Sequence, residues 1–362
     1  MLWLVALGCG EAPSEPRCSV SEGSVAARAE GAIDALAAVE HQGALHLFWS
    51  DQFGTHYRRH DDAWQGTRIT SRCRGGLDAV SGEQLLLACL RPAVPAAGKA
   101  GGVFVFEVGA RIRAVGRVGV AGAHSEGVDL EMLDGRTHVA WQDSKRRVVW
   151  LSTLDDPAPR QISRRGTEAG APSLGVFDGA LVGTWSELVY DDHGDPLGEV
   201  VVWTERRGPR RITPVLYPRA QPTLAIDAQS AAVAFRDENP SGTRPRLFVQ
   251  RLDDELGPSG ELLRVGRADG PGGPNVLQCG ETWFTASPRS YSTYDILIGL
   301  NRFDTGWDRL EPERQLYEAG RRHTHVVALC QDSHPLLVSA ENSQAEGPAA
   351  VRTTPVNCHE TP

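Results

Sequence analysis

Short runs in which apolar and polar residues alternate, bounded by Gly, Pro, Asp and Asn, fill most of this chain. Alternation with a period of two is the mark of a β-strand with one buried face, and the bounding residues are those of tight turns. No long stretch carries apolar residues at helical spacing between caps. The pattern therefore predicts an all-β protein of many short strands.

One phrase recurs: a Gly, an alternating apolar run, an aromatic residue, one further residue and an acid. It reads Gly43 to Trp49-Ser-Asp51, Gly135 to Trp141-Gln-Asp143, and Gly179 to Trp185-Ser-Glu187. A fourth copy starts at Gln229 and ends Phe235-Arg-Asp237. Three weaker copies keep the frame but not the aromatic, with Ala88, Ala286 and Ala340 in its place. An apolar strand precedes each copy and two more strands follow, as in Val200-Val-Val-Trp203 and Arg211-Ile-Thr213. The copies recur about every fifty residues, the spacing of propeller blades. A unit of four strands cannot bury both faces alone and stacks on its neighbours around an axis. The expected fold is a seven-bladed β-propeller of four-stranded antiparallel blades, six or eight being the alternatives. The aromatic slots are expected to fill the spaces between blades, with Trp283 as a substitute in the sixth copy. The final copy lacks an outer strand, which the stretch Ser19 to Val25 can supply, so residues 18–362 are expected to form one domain closed by its two ends.

The length of 362 residues is ordinary for one large repetitive domain, and the net charge of −9 excludes a basic footprint for nucleic acid. The first residues, Met1-Leu-Trp-Leu-Val-Ala-Leu-Gly-Cys9-Gly, are apolar and lead into a polar Pro/Ser/Glu tether. This opening resembles the end of a bacterial lipoprotein signal, in which the Cys9 position is the lipidated one. It is shorter than a full signal and has no basic start, and an ordinary secretory signal or a chance apolar start are the alternatives. Residues 1–17 are then a signal remnant and tether. The protein is expected to be exported to the cell envelope, touching a membrane only through the lipid, and to be a monomer. Six cysteines remain, an even number suited to disulfides in an oxidising compartment. Ring closure would bring Cys18 to Cys358. Cys73 and Cys89 flank one strand and are expected to pair locally, and Cys279 and Cys330 to tie adjacent blades.

The hairpins Asp61-Asp-Ala-Trp64 and Phe303-Asp-Thr-Gly-Trp307, together with the Trp-x-Asp copies, resemble the repeats of sialidase-type propellers over most of residues 30–350. The resemblance implies a fold. It does not carry over the chemistry: Ser50-Asp51-Gln-Phe-Gly54 departs from the Asp-box, and no arginine triad can be assigned.

The candidate ligand-binding residues are the acids after the aromatic slot, Asp51, Asp143, Glu187 and Asp237, which would rim one mouth of the ring. The opposing reading is that each accepts N–H groups of its own turn. Tyr291 and Tyr294 lie in an insertion that offers aromatics for a sugar or a protein. No cofactor is expected; Tyr190-Asp191-Asp192-His193-Gly194-Asp195 has oxygen spacing for Ca²⁺ but lacks a closing Glu and reads first as a plain turn. His323 and His325 would share a strand face. With no catalytic motif in sight, the expectation is a non-enzymatic binding or scaffold module for a protein or glycan rather than an enzyme. The alternative is a glycosidase-type hydrolase with carboxylates at the mouth.

Overall fold

The computed structural model describes residues 18–20, 23–60, 67–70, 73, 76–91, 93–94, 100–119, 127–143, 145–190, 192–213, 222–227, 230–237, 244–270, 272–290, 296–316, 321–343 and 349–358. The expected lipidation site Cys9, the whole 1–17 segment, Tyr291 and Tyr294 lie outside them.

The strands follow the alternation in the sequence. β1 (Cys18–Val20) and β2 (Ser24–Ala29) open the chain. A first sheet comprises β3 (Ala35–His41), β4 (Ala44–Asp51), β5 (Gly54–Arg59) and β6 (Thr67–Thr70). A second has β7 (Gly76–Ser81), β8 (Leu85–Arg91), β9 (Gly102–Val108) and β10 (Arg113–Val118). A third has β11 (Val128–Leu133), β12 (Arg136–Asp143), β13 (Val148–Thr153) and β14 (Arg160–Gln161). A fourth has β15 (Glu168–Ala169), β16 (Ser173–Phe177), β17 (Ala180–Tyr190), β18 (Pro196–Thr204) and β19 (Gly208–Arg211). A fifth has β20 (Thr223–Ile226), β21 (Ala231–Asp237), β22 (Arg246–Leu252) and β23 (Pro258–Arg267). The remaining strands are β24 (Asn275–Cys279), β25 (Thr282–Ser290), β26 (Ile296–Phe303), β27 (Arg314–Leu316), β28 (Arg321–Gln331), β29 (His334–Ser343) and β30 (Ala349–Cys358). With β1 and β2 they form one nine-stranded sheet, in which β26 and β28 meet through the single parallel pair Ile296–Arg322. All other ladders are antiparallel.

The first strands of successive sheets lie side by side: β3 by β7, β7 by β11, β11 by β16, β16 by β20, β20 by β24, β24 by β28, and β28 again by β3. The chain is therefore a closed ring of radial sheets. Both β1 and β2 pair with β30, so the N-terminal strands complete the last sheet from outside. Cys18 and Cys358 are cross-strand partners in that ladder, and Cys358 is disulfide-bonded. Cys73–Cys89 and Cys279–Cys330 are disulfides, the latter joining β24 to β28.

The Gly that opens the repeated phrase is a turn residue. Gln42–Gly43, Asp134–Gly135 and Asp178–Gly179 all have positive φ at both positions, the two-residue turn that matches strand twist. The aromatic that follows packs on the preceding sheet. Trp49 shares a buried cluster with Leu336, Val338 and Ala340, Trp141 with Leu86, Ala88 and Leu90, Trp185 with Ala140, and Phe235 with Val182. Gly119 is required beneath Trp141, because a Cβ there would come within 2.1 Å of the indole. Each large ring faces a small or branched residue, so the interfaces interdigitate.

The weak copies differ from expectation in register. Ala88 and Ala340 stand on the other side of their strands, where they receive Trp141 and Trp49. The cause is the turn. In the second sheet Gly82, Glu83 and Gln84 intervene between the paired Ser81 and Leu85, one residue more than in the first, and in the sixth copy Gly280 is the first turn residue rather than the second. Counting from the Gly therefore lands one residue off. Trp283 does fill the gap, packing against Ala232 and Ala234.

Candidate active site

The ring places the beginning of each first strand at its axis, and there the chain repeats a polar device. The Leu130 N–H donates to Asp78 Oδ2 at 2.7 Å, the Leu174 N–H to Asp129 Oδ2 at 3.0 Å, and the Leu224 N–H to Ser173 Oγ at 3.2 Å. Thr223 Oγ1 then donates to the Pro274 carbonyl at 2.8 Å and Asn275 Nδ2 to the Val326 carbonyl at 2.6 Å. The His325 ring hydrogen-bonds to the backbone of Asp34, closing the series onto the first sheet. Each side chain thus bridges to the first strand of the next sheet and satisfies a backbone group that the sheet edge leaves unpaired. Between the first and second sheets the bridge lies at the opposite end, where His41 Nδ1 and Ser81 Oγ are 2.9 Å apart.

Two members of this belt are carboxyl groups hydrogen-bonded to each other, Asp78 and Asp129. Two ionised carboxylates so placed repel each other, which favours the protonated form of one of them. Burial pushes the Asp129 carboxyl well above the ordinary aspartate range, and the adjacent Asp78 charge adds to the rise. Burial also raises Asp78, with Asp129 as the hydrogen-bond partner that stabilises its charge. Of the two, Asp129 is raised the further. Glu131 is raised too, first by burial and then by the Asp78 charge, while the Met132 N–H donates to its Oε1 at 2.9 Å. Positions 129 and 131 lie two apart on β11 and so share a side. Glu131 borders a cavity of about 450 Å3 between the first strands of the third to sixth sheets, walled by Leu174, Gly175, Leu224, Val276 and Gln278. A proton-bearing acid, an acceptor carboxylate and a third carboxyl at a cavity are the parts required for acid–base chemistry.

The four acids expected to rim the mouth are engaged elsewhere. Asp51 is fully buried, and its Oδ1 accepts from the Phe53 N–H at 2.8 Å and the Gly54 N–H at 3.1 Å, with His56 Nε2 at 3.2 Å. Asp143 Oδ1 accepts from the Lys145 N–H at 3.1 Å. Glu187 is buried; its Oε1 accepts from the Arg164 N–H at 3.1 Å and from Trp185 Nε1 at 3.0 Å, and Arg164 also reaches Glu199 at 2.9 Å. Asp237 is half-buried at the end of β21 and has a partner of its own. Asp51, Asp143 and Glu187 are thus occupied within their own turns or by the link from the preceding sheet. His323 bonds to Ser339 Oγ, and a bulge between His323 and His325 interrupts the alternation that would set them on one face. Among the described residues no group of three or more His, Cys, Asp or Glu is placed to hold a metal ion.

The sequence reading did not single out Asp78, Asp129 or Glu131. Their signal was present: Asp78, Asp129, Ser173, Thr223 and Asn275 are polar residues near the start of otherwise apolar first strands.

No family model matches the chain, and no curated protein matches it. Solved structures do. An α-L-arabinanase from Penicillium chrysogenum, complexed with arabinobiose, superposes with a TM-score of 0.52 at 12% identity, over 94% of this chain and 98% of that one. A Trypanosoma rangeli sialidase gives 0.46 at 9% identity over 94% of this chain and 59% of its own. An α-L-arabinofuranosidase from Lactobacillus brevis gives 0.39 at 13% identity over 65% and 90%. The fold is β-propeller-like, in line with the sialidase-type resemblance. The first of these also corrects an expectation. The chain was expected to be a non-enzymatic binding or scaffold module rather than an enzyme, yet the neighbour that shares its architecture over nearly its whole length is an arabinanase, an enzyme. That expectation is set aside. It arose because the catalytic motifs sought were local in sequence.

Proposed function

We propose that this protein is a glycosidase-type hydrolase whose site is the carboxyl cluster of Asp78, Asp129 and Glu131 at the axis of a seven-bladed propeller. The count of seven takes the nine-stranded sheet as two blades, β24–β27 and β28–β30 with β1 and β2. The observation that carries the functional reading is the adjacency of Asp78 and Asp129, both raised by burial, beside a third carboxyl at a cavity. Glycoside hydrolysis needs one carboxyl that keeps its proton at working pH and one that does not. Asp129 gives its proton to the oxygen of the leaving sugar, and Asp78 holds that proton in place beforehand. Glu131 takes a proton from the water whose oxygen bonds to the anomeric carbon as the glycosidic bond breaks. The arabinanase neighbour is solved with arabinobiose, which makes short arabinose oligomers the first substrates to try. Two disulfides suit export, and lipid anchoring at Cys9 belongs to the same reading.

The test is hydrolysis of arabinan, arabinobiose and aryl arabinofuranoside, xyloside and sialoside substrates by the wild-type chain and by Asp129→Asn and Glu131→Gln. Cleavage of one of them, lost about a hundredfold or more in both variants, is the expected result. Cleavage of none, by folded protein, ends the hydrolase reading. Cleavage that survives both substitutions ends the assignment of the site.

A further inference from the structure

A second cavity lies between the first and second sheets, at the end of the molecule where the first strands finish. Its volume is about 590 Å3, larger than the axial cavity. That is within the range of roughly 300–1,000 Å3 over which small-ligand sites are found. Leu85 and Val108 are buried in its floor, with His46 and Tyr57, while Gln42, Arg59, Glu83 and Gln84 stand exposed around it.

The cavity is held in shape before any ligand arrives. Gln42 sits in the two-residue turn with positive φ. His41 Nδ1 is 2.9 Å from Ser81 Oγ, and His46 Nδ1 is 2.9 Å from the Tyr57 hydroxyl. Tyr57 is stacked between His46 and Phe48, with ring centroids 5.7 and 5.2 Å away. His41 meets His46 edge-on at 5.8 Å. The imidazoles therefore cannot rotate freely, and little ordering is left to accompany binding.

The chemistry of the rim selects among ligands. It mixes flat donors (the Arg59 guanidinium and the Gln42 and Gln84 amides) with flat acceptors (the Glu83 carboxylate and the amide oxygens). Glu107, also in the lining, is ion-paired to Arg113. A metal ion needs converging ligands, and among the described residues no such group is present. A multivalent anion would meet one arginine against two carboxylates. Adjacent hydroxyls of a sugar, each both donor and acceptor, match an alternating set of planar donors and acceptors. The buried apolar floor matches the C–H face of the ring.

We propose that this cavity is a second saccharide-binding site, separate from the axial carboxyl cluster and without catalytic groups of its own. It takes a mono- or disaccharide unit, hydrogen-bonded by Arg59, Glu83 and the flanking glutamines and oriented by His41. The site stands on its own geometry and does not require that the axial cluster cleave glycans.

Saturation-transfer NMR and calorimetry with arabinobiose, xylobiose and sialyllactose test it, on the wild-type chain and on Glu83→Gln, Arg59→Ala and Asp129→Asn. All three positions are judged folded first by circular dichroism and thermal midpoint; Glu83 and Arg59 are exposed, and their replacement leaves the core untouched. The expected result is saturable binding of at least one sugar, weakened about tenfold or more by Glu83→Gln and by Arg59→Ala, as loss of charge-assisted hydrogen bonds does, and retained by Asp129→Asn. Binding that Asp129→Asn abolishes and the cavity variants keep would place the sugar at the axis and overturn the proposal. So would binding of none of the three sugars. Binding without hydrolysis would leave this site standing while the hydrolase reading fell, and hydrolysis without cavity binding would do the reverse.

Discussion

Glu187 and Asp129 are carboxyl groups in neighbouring sheets, yet their surroundings are of opposite kinds. Glu187 lies among donors: the Arg164 N–H and guanidinium and the Trp185 indole all point at it. Asp129 faces another acid and a single amide N–H, and its carboxyl is raised well above the ordinary range. The difference teaches that an acid conspicuous in a repeated phrase can be tied up by its own turn and neighbours, while a less conspicuous one in a first strand is the one whose proton affinity is raised.

Removing the charge at the structural acid should have the largest effect. Glu187→Ala leaves the Arg164 N–H and the buried Trp185 N–H without their acceptor, while the Arg164 guanidinium keeps Glu199. Such losses typically cost about 1–3 kcal/mol for each group left unsatisfied. Urea unfolding is expected to show the midpoint fall by the corresponding amount, and an unchanged midpoint would dissolve the contrast. At Asp129 the proposed site predicts a loss of rate instead, with Asp129→Asn a folded protein that turns over glycan substrates about a hundredfold more slowly or worse.

Stability against pH sharpens the contrast further. Asp129 has a native proton affinity above its unfolded value of 3.8. Between the two values the native state binds more protons than the unfolded one, so stability falls as pH rises through that window. Asp129→Asn keeps an oxygen for the Leu174 N–H and an N–H for Asp78, and it has no proton to lose. The variant is therefore expected to be more stable than wild type at about pH 8, with the gap closing toward about pH 4. A constant gap across that range would mean that the pair holds no extra proton. The smallest effect is expected at Asp143, whose turn is exposed: Asp143→Ala should lower stability by about 1 kcal/mol or less.

The sheets were legible because the alternation and the turn residues agree along the whole length, and Trp49, Trp141 and Trp185 stand at the same place in each phrase. Register in the weaker copies was not, since a turn of three residues at Gly82 and a shifted Gly280 alter the count by one without altering the composition. The disulfide Cys73–Cys89 followed from two cysteines flanking one strand, and Cys279–Cys330 from similar places in adjacent copies. The paired carboxyls were hidden for a different reason. Asp78 and Asp129 are about fifty positions apart, and only the ring makes them neighbours. Their chemistry is a property of two adjacent sheets, and no local motif can report it.

The pairing of β1 and β2 with β30 has a consequence for the order of events during synthesis. β1 and β2 leave the ribosome long before the β30 residues with which they pair. Until β30 emerges β2 has an open edge, and so has every sheet newly added to the growing arc. Such edges invite pairing with other chains. Contacts of the longest sequence separation are also the slowest to form. The nascent ring is thus an unclosed arc until β30 has been made, and a chain cut short before Ala349 would stay one.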